Sequence, residues 1–443
     1  MRMPRHVLCL AVLAALAPGS ATPQSRTSLP ERAAEGFRYA AELSLAHSDN
    51  RERLNPKGPS DTLFAPRLGF TWFHAGSRLE SRVIGELEYL HSLRDRFGDE
   101  SRTRLSAQVD WALAPQRLYW TFQDYAAVEP VNVRAPRAPS NLQQTNVLVT
   151  GPSLWIKPEG LFSGQLEARY ANSYAEVNKT FEGDRVMAAA RAFYGSEARR
   201  RLGLGIEETR VRYDIASTLH DHDRQDIVLQ LVGESARLDY SARIGRSRID
   251  FLDGDRPSAG LAQLGIGWRP DDDNLFRVDV LRELSDAARD FTFQLQRNEL
   301  PRDLRGHPQL GAELYRIRSA QVAWRRRGPH WEWSIDPYYR DYEYLRRDAT
   351  LDNRARGGSV DGTYVINPVL SISGRLAVEQ RSFRVDSRRD RTHDLGVSLE
   401  RRFSRRWAVR VGFDHSIRDS NVPRADYEEN VVSVALIFRG GRG

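Results

Sequence analysis

Leu105-Ser106-Ala107-Gln108-Val109-Asp110-Trp111-Ala112-Leu113 reads apolar, polar, apolar, polar almost without a break. Leu105, Ala107, Val109, Trp111 and Leu113 share one face; Arg104, Ser106, Gln108 and Asp110 share the other. Successive side chains alternate sides only on an extended backbone, so the segment is a strand with one greasy and one polar face. It breaks at Ala114-Pro115-Gln116, and a second alternating run starts near Trp120.

The same pattern recurs along the chain. Phe37, Tyr39, Ala41, Leu43 and Leu45 oppose Arg38, Glu42 and Ser44, and Trp407, Val409, Val411 and Phe413 oppose Arg410 and Asp414. We read about twenty such segments, within a range of 16 to 22, each roughly ten to fifteen residues long. That length lets a tilted strand cross the hydrocarbon core of a bilayer. Short connections follow Phe73, Leu113, Ile156, Tyr194, Val232, Trp268, Arg326, Ile366 and Phe403. Long polar ones cover residues 48–61, 94–102, 127–144, 175–183, 214–223, 285–311, 346–356 and 419–426.

The nine tryptophans, Trp72, Trp111, Trp120, Trp155, Trp268, Trp324, Trp331, Trp333 and Trp407, all lie near the short connections. Indoles gathered at one end of a set of strands are what a membrane–water interface selects. The expectation is therefore an all-β, antiparallel up-and-down transmembrane barrel with short periplasmic turns, long extracellular loops and a tryptophan belt at the short-turn rim. Starting upward at Phe37 and ending downward at Phe438 requires an even strand number. An apparent reversal of faces around Ile206-Glu207-Glu208-Thr209 suggests a β-bulge. Residues 290–296 read either as an extra strand or as loop.

Arg2 and Arg5, the apolar run Val7–Ala17 and the small residues Gly19-Ser20-Ala21 read as a signal peptide over 1–21. A periplasmic lead-in over 22–36, a barrel over 37–439 and a short tail over 440–443 complete the expected organisation. The single cysteine, Cys9, lies inside the leader, which leaves no thiolate chemistry to the mature chain. Mean hydropathy is −0.57, and no apolar run reaches helix-spanning length, which excludes a helical membrane protein. The formal charge is +7, nearly all of it arginine against interleaved acids; loss of Arg2 and Arg5 with the leader would leave about +5. Interleaving of this kind does not read as a nucleic-acid surface.

Trp407-Ala408-Val409-Arg410-Val411-Gly412-Phe413, Ser416–Asn421 and Asp426–Asn430 running into Val431–Phe438 carry a resemblance, supported by Asp49-Asn50 to Pro66–Gly69. The stretch from Arg381 to Arg439 resembles the β-barrel porin families found beside exopolysaccharide and exosortase-type (PEP-CTERM-type) protein-sorting systems. That resemblance implies a Gram-negative outer-membrane barrel near polysaccharide export. Such barrels usually end on an aromatic residue, whereas here Phe438 is followed by Arg439-Gly440-Gly441-Arg442-Gly443.

Candidate chemistry is sparse. His220-Asp221-His222-Asp223 and Asp271-Asp272-Asp273-Asn274 have metal-compatible residues but read as exposed loop and solvated turn. Asp414-His415 would place its members on opposite faces, and no Gly-x-Ser-x-Gly elbow occurs. Gly203-Leu204-Gly205 and Gly265-Ile266-Gly267 read as packing positions within strands. The polar face is more informative: Arg38, Glu42, Arg82, Glu86, Arg104, Asp110, Arg169, Arg243, Asp279, Arg375, Glu379 and Arg410 are the expected lumen lining. Such charges either pair and stiffen the interior or set a field across a water-filled pore. The proline-bearing loop 127–144 is a candidate inward-folding constriction.

The expected function is a passive pore or export conduit for polar solutes, with extracellular polysaccharide as candidate cargo. The alternative is a closed scaffolding barrel that anchors an export or sorting machinery; an outer-membrane lipase or protease ranks last. No catalytic residue, metal or cofactor is expected. The expected partners are outer-membrane lipid, the barrel-insertion machinery and polysaccharide-export components, and no nucleic acid.

Overall fold

A computed structural model describes residues 35–196, 200–215, 220–290, 308–345 and 349–442. Strands β1 to β5 span Gly36–Ser48, Asp61–Ala75, Leu79–Ser92, Glu100–Ala114 and Leu118–Pro130. Strands β6 to β10 span Leu142–Ile156, Phe162–Ala175, Gly183–Ser196, Arg200–Tyr213 and His222–Glu234. Strands β11 to β15 span Leu238–Phe251, Ser258–Trp268, Asn274–Ser285, Tyr315–Arg327 and Trp331–Tyr344. Strands β16 to β20 span Asn353–Asn367, Leu370–Phe383, Arg389–Arg402, Trp407–Ser420 and Tyr427–Arg442. Each pairs antiparallel with its neighbours in sequence, and β1 pairs with β20, which closes a 20-stranded barrel.

Register converts alternation into two surfaces. Leu43 stands opposite Leu436 and Leu68 opposite Leu87, all four exposed on the outside. Glu42, Arg67 and Glu88 form the matching row inside. An outward apolar band beside an inward polar wall is the porin-like outer-membrane arrangement, the reverse of a soluble protein. Gly85, Gly233 and Gly440 sit opposite Phe70, Tyr240 and Tyr39, whose rings fill the space a Cβ would need.

Connections after even-numbered strands run two to five residues, and those after odd-numbered strands five to 29. Two outer connections, 252–257 and 384–388, are too short to stand out by polarity and add to the expected set. The tail expected over 440–443 is strand as far as Arg442, because Gly440 and Gly441 pair with Tyr39 and Arg38. Gly441 has φ +130°, and a side chain there would strike the Phe37 carbonyl; only glycine lets the closing strand run on.

No bulge occurs at 206–209. The registers of β9 with β8 and β10 run unbroken, and Glu207 keeps the inward alternation. The apolar set changes face because Val211 and Tyr213 cover an apolar cluster inside the outer mouth. Register shifts fall instead at Ala112/Ala114 and Val365/Asn367, beside short turns. The leader and nearly all of the lead-in lie outside the described residues, as does most of 290–296; Asp290 itself lies in a helical turn.

Candidate functional site

The expected lumen residues all take inward positions, and most are drawn into pairs. Glu42 lies 3.3 Å from Arg410 and 3.8 Å from Arg67. Arg104 meets Glu86 at 2.7 Å, and Arg82 meets Glu80 at 2.7 Å. Arg243 and Arg191 both clamp Glu207, at 2.8 and 2.7 Å. Asp110 accepts from Gln108 and Thr121, Arg169 donates to Ser153, and Asp279 pairs with Arg277. Glu379 accepts from the Tyr338 hydroxyl at 2.6 Å and pairs with Arg381, while Arg375 lies 3.6 Å from Asp361. Arg38, at the periplasmic rim, is exposed and has no ion-pair partner among the described residues.

Eight of the nine belt tryptophans take outward positions near the short-turn rim. Trp324 packs edge-on to Trp333 at 4.1 Å and stacks on Phe276, while Trp407 packs against Phe438. Trp155 is the correction. It pairs with Gln165 on the inward parity of β6, stacks on Phe193 at 5.8 Å, and carries the Arg201 guanidinium 5.1 Å above its ring. Its closeness to a turn was visible in the sequence; its face was set by the register with β7.

Two outer connections fold into the barrel mouth. The first, 131–141, reaches across it: the Arg134 carbonyl accepts from Arg388 at 2.5 Å and from Arg418 at 3.1 Å. Ser140 donates to Glu52 at 2.5 Å, and Arg134 itself pairs with Asp386. The second runs between β13 and β14. Asp286 caps its helical turn by accepting from the Ala288 and Arg289 amides, and pairs with Arg185 at 2.8 Å. Arg289 reaches Glu283 at 3.4 Å and Asp226 at 3.6 Å. Leu310 and Ala288 join Tyr125, Val147 and Phe181 in an apolar cluster inside the barrel, and Leu314 joins Ile249 and Phe251 in another.

The two inward segments are tied to each other. The Gln309 amide accepts from the Val133 N–H at 3.1 Å and donates to the Val131 carbonyl at 2.5 Å. Burial is the largest influence on Asp286 and would raise its pKa, but the Arg185 charge overrides it and holds the carboxyl at about 2. Asp290 goes the other way. Enclosure inside the barrel pushes it up to about 7, although part of its surface stays accessible and Ser285 and Tyr315 both donate to it.

Open space among the described residues lies on the opposite wall. A cavity of about 390 Å³ separates the 131–141 loop from β17–β20. Arg375, Arg381 and Arg418 face it together with Asp390, Asp394 and Asp414. Arg418 pairs with Asp390, Ser416 with Asp394, and Arg53 with Glu429 at 2.8 Å. The Nε groups of Arg375 and Arg418 are buried without a hydrogen-bond acceptor. The volume lies in the small-ligand range, and the paired charges offer donors and acceptors side by side.

His222 is buried against Phe251, Asp221 accepts from the Tyr213 amide, and Asp223 pairs with Arg212, so the four residues do not converge. Asp271 caps its own turn by accepting from Asp273 and Asn274. Asp414 faces the cavity while His415 bonds Asn430 on the other side of the sheet. Gly203 lies under Phe193, and Gly267 against the Asp239 carboxylate. Gln309, Arg185, Asp286, Arg289 and Arg418 were not singled out from sequence. The available signs were the proline-bearing loop 127–144, whose 131–141 part does fold inward, and the face reversal that ends at Val211 and Tyr213, which marks wall positions covered from within.

Residues 349–439 match the model of the family described as "Putative beta-barrel porin 2". No curated protein matches the chain. Among solved structures, a ferric enterobactin receptor (PfeA) from Pseudomonas aeruginosa is similar over 93% of this chain and 82% of its own, at 9% identity and a TM-score of 0.45. The siderophore receptor PirA from Acinetobacter baumannii gives 93% and 81%, 7% identity and 0.45. The FrpB iron transporter from Neisseria meningitidis gives 91% and 82%, 8% identity and 0.40. At such scores these likenesses carry no argument about cargo.

Proposed function

We propose that this barrel is a passive conduit for polar solutes, with saccharides the class that suits it best. One observation carries the reading: the 131–141 loop crosses the mouth yet leaves a polar cavity against β17–β20 rather than packing onto that wall. A twenty-stranded cylinder would otherwise hold a wide aqueous lumen, so two inward loops convert it into a narrow, off-axis path. Balanced arginine and carboxylate pairs suit hydroxyl-rich solutes, which accept and donate at once, better than either ion sign alone. The resemblance of the C-terminal third to porins beside exopolysaccharide systems supports a saccharide cargo, and the expected leader over 1–21 supports export of the chain itself to the outer membrane.

Conductance of the purified protein in a planar bilayer, with neutral sugars of increasing size as blockers, tests this. Discrete channels with a sharp size cutoff are expected, and absence of any current would remove the proposal. A closed scaffold is the second reading, favoured by the apolar clusters that seal the inward segments to the wall. It predicts no current under any loop substitution. We assign no enzymatic role.

A further inference from the structure

The outer rim carries a charge asymmetry that the conduit reading does not use. At the top of the apolar band, β13 to β18 present Arg282, Arg318, Arg354, Arg356 and Arg391 on the outward parity. Each stands one to three outward positions above the exposed apolar side chains Val280, Val322, Val360 and Leu395. Arg282 and Arg318 are direct cross-strand partners, and like charges so placed repel. Asp341 is shared loosely by Arg318 at 3.8 Å and Arg354 at 4.0 Å, and is already engaged by Arg384. Among the described residues Arg356 donates to the Gln380 amide oxygen alone, and Gln380 faces Arg391 across the next ladder. Arg282 and Arg356 have no carboxylate partner among the described residues, and Arg391 stands across the β18–β19 ladder from Asp419 without forming an ion pair with it.

The other side of the rim is different in kind. From β19 through β20 and β1 to β8, the outward positions at this height hold no arginine, and their polar groups satisfy one another. His47 bonds Thr62 at 2.9 Å, His415 bonds Asn430 at 2.8 Å, Asn146 donates to Asp124 at 2.5 Å, and Tyr170 donates to Asp184 at 2.6 Å. A generic interfacial collar would be alike all round. A collar without arginine on one side, where Asp124, Asp184 and Asp419 face outward, and short of anions on the other is shaped for a localised negative partner on the arginine side.

We propose that the β13–β18 rim binds the phosphate groups of the phosphorylated glycolipid in the outer leaflet. Height, valence and geometry agree. Guanidinium forks bind phosphate oxygens in pairs, and acyl chains anchored by those phosphates would lie along the apolar band immediately below. The site lies on the outer surface and is independent of whether the lumen conducts.

The test uses the full-length folded barrel in detergent micelles, incubated with a bis-phosphorylated acyl glucosamine disaccharide, purified, and assayed for retained lipid by native mass spectrometry. The triple variant Arg282→Gln/Arg356→Gln/Arg391→Gln should retain roughly tenfold less or lower still. The control Arg401→Gln/Arg405→Gln/Arg406→Gln, with the same charge change at the short-turn rim, should retain as much as wild type. Heat-dependent gel mobility verifies that both variants fold. Equal retention by the first triple variant overturns the proposal. So does equal retention of the same lipid stripped of phosphate, which would mean acyl packing alone. Displacement by inorganic phosphate at equimolar concentration would mark a free-anion site and would overturn the lipid assignment.

Discussion

Individual residues here are assigned to their surroundings by parity, and the tryptophans show how sharply. Neighbours on a strand differ by one position and by an entire solvent, since a one-residue step exchanges lipid for lumen. Trp155 lies next to exposed Leu154 and Ile156 yet stacks inside on Phe193. In single-tryptophan variants reconstituted with brominated acyl chains, Trp268, Trp331 and Trp407 should be strongly quenched and Trp155 should not. Quenching of Trp155 to the same degree would mean that the β6–β7 register is wrong. Glu207 shows the other side of parity. It is an inward carboxylate held by Arg191 and Arg243, and Glu207→Gln should destabilise the barrel by about 1–3 kcal/mol in urea unfolding, less than for a dry core because the lumen admits water.

Elements bring the next level of order, and the outer connections matter most. The segment after β13 is held by ion pairs, by apolar contacts and by a carboxyl, Asp290, whose pKa stands at about 7 instead of near 4. The protonated form is therefore the one the seated segment prefers. Stability from this group is complete below about pH 4, declines as pH rises, and is lost once pH passes about 7. Asp290→Asn should raise resistance of the 286–314 segment to proteolysis at pH 8 and flatten its dependence between pH 4 and 7. An unchanged pH profile would exclude Asp290 as its source. Gln309 acts between elements. Gln309→Ala removes both bonds to 131–141 and should increase single-channel conductance or its fluctuations, with barrel stability altered by less than about 2 kcal/mol; identical current traces would mean that the loops do not move as a pair.

At the scale of the whole molecule, closure is the property to test. Leu43 and Leu436 face each other across the β1–β20 seam, and the mature chain has no cysteine of its own to interfere if the leader is removed as expected. Leu43→Cys with Leu436→Cys should form a disulfide on mild oxidation, while Leu43→Cys with Phe438→Cys should not, because a two-residue offset exceeds disulfide reach. A strand number near twenty, the inside–outside faces of the alternating segments and the location of the short-turn rim could be read directly from the chain. Each depends on alternation, which is local and repeats on every strand. The folding of 131–141 toward β17–β19, the covering of Val211 and Tyr213 from within, the inward turn of Trp155 and the one-sided arginine rim depend on contacts between residues far apart in sequence. Period-two patterning records which solvent a side chain meets but not which neighbour replaces that solvent, so those features required the closed barrel itself.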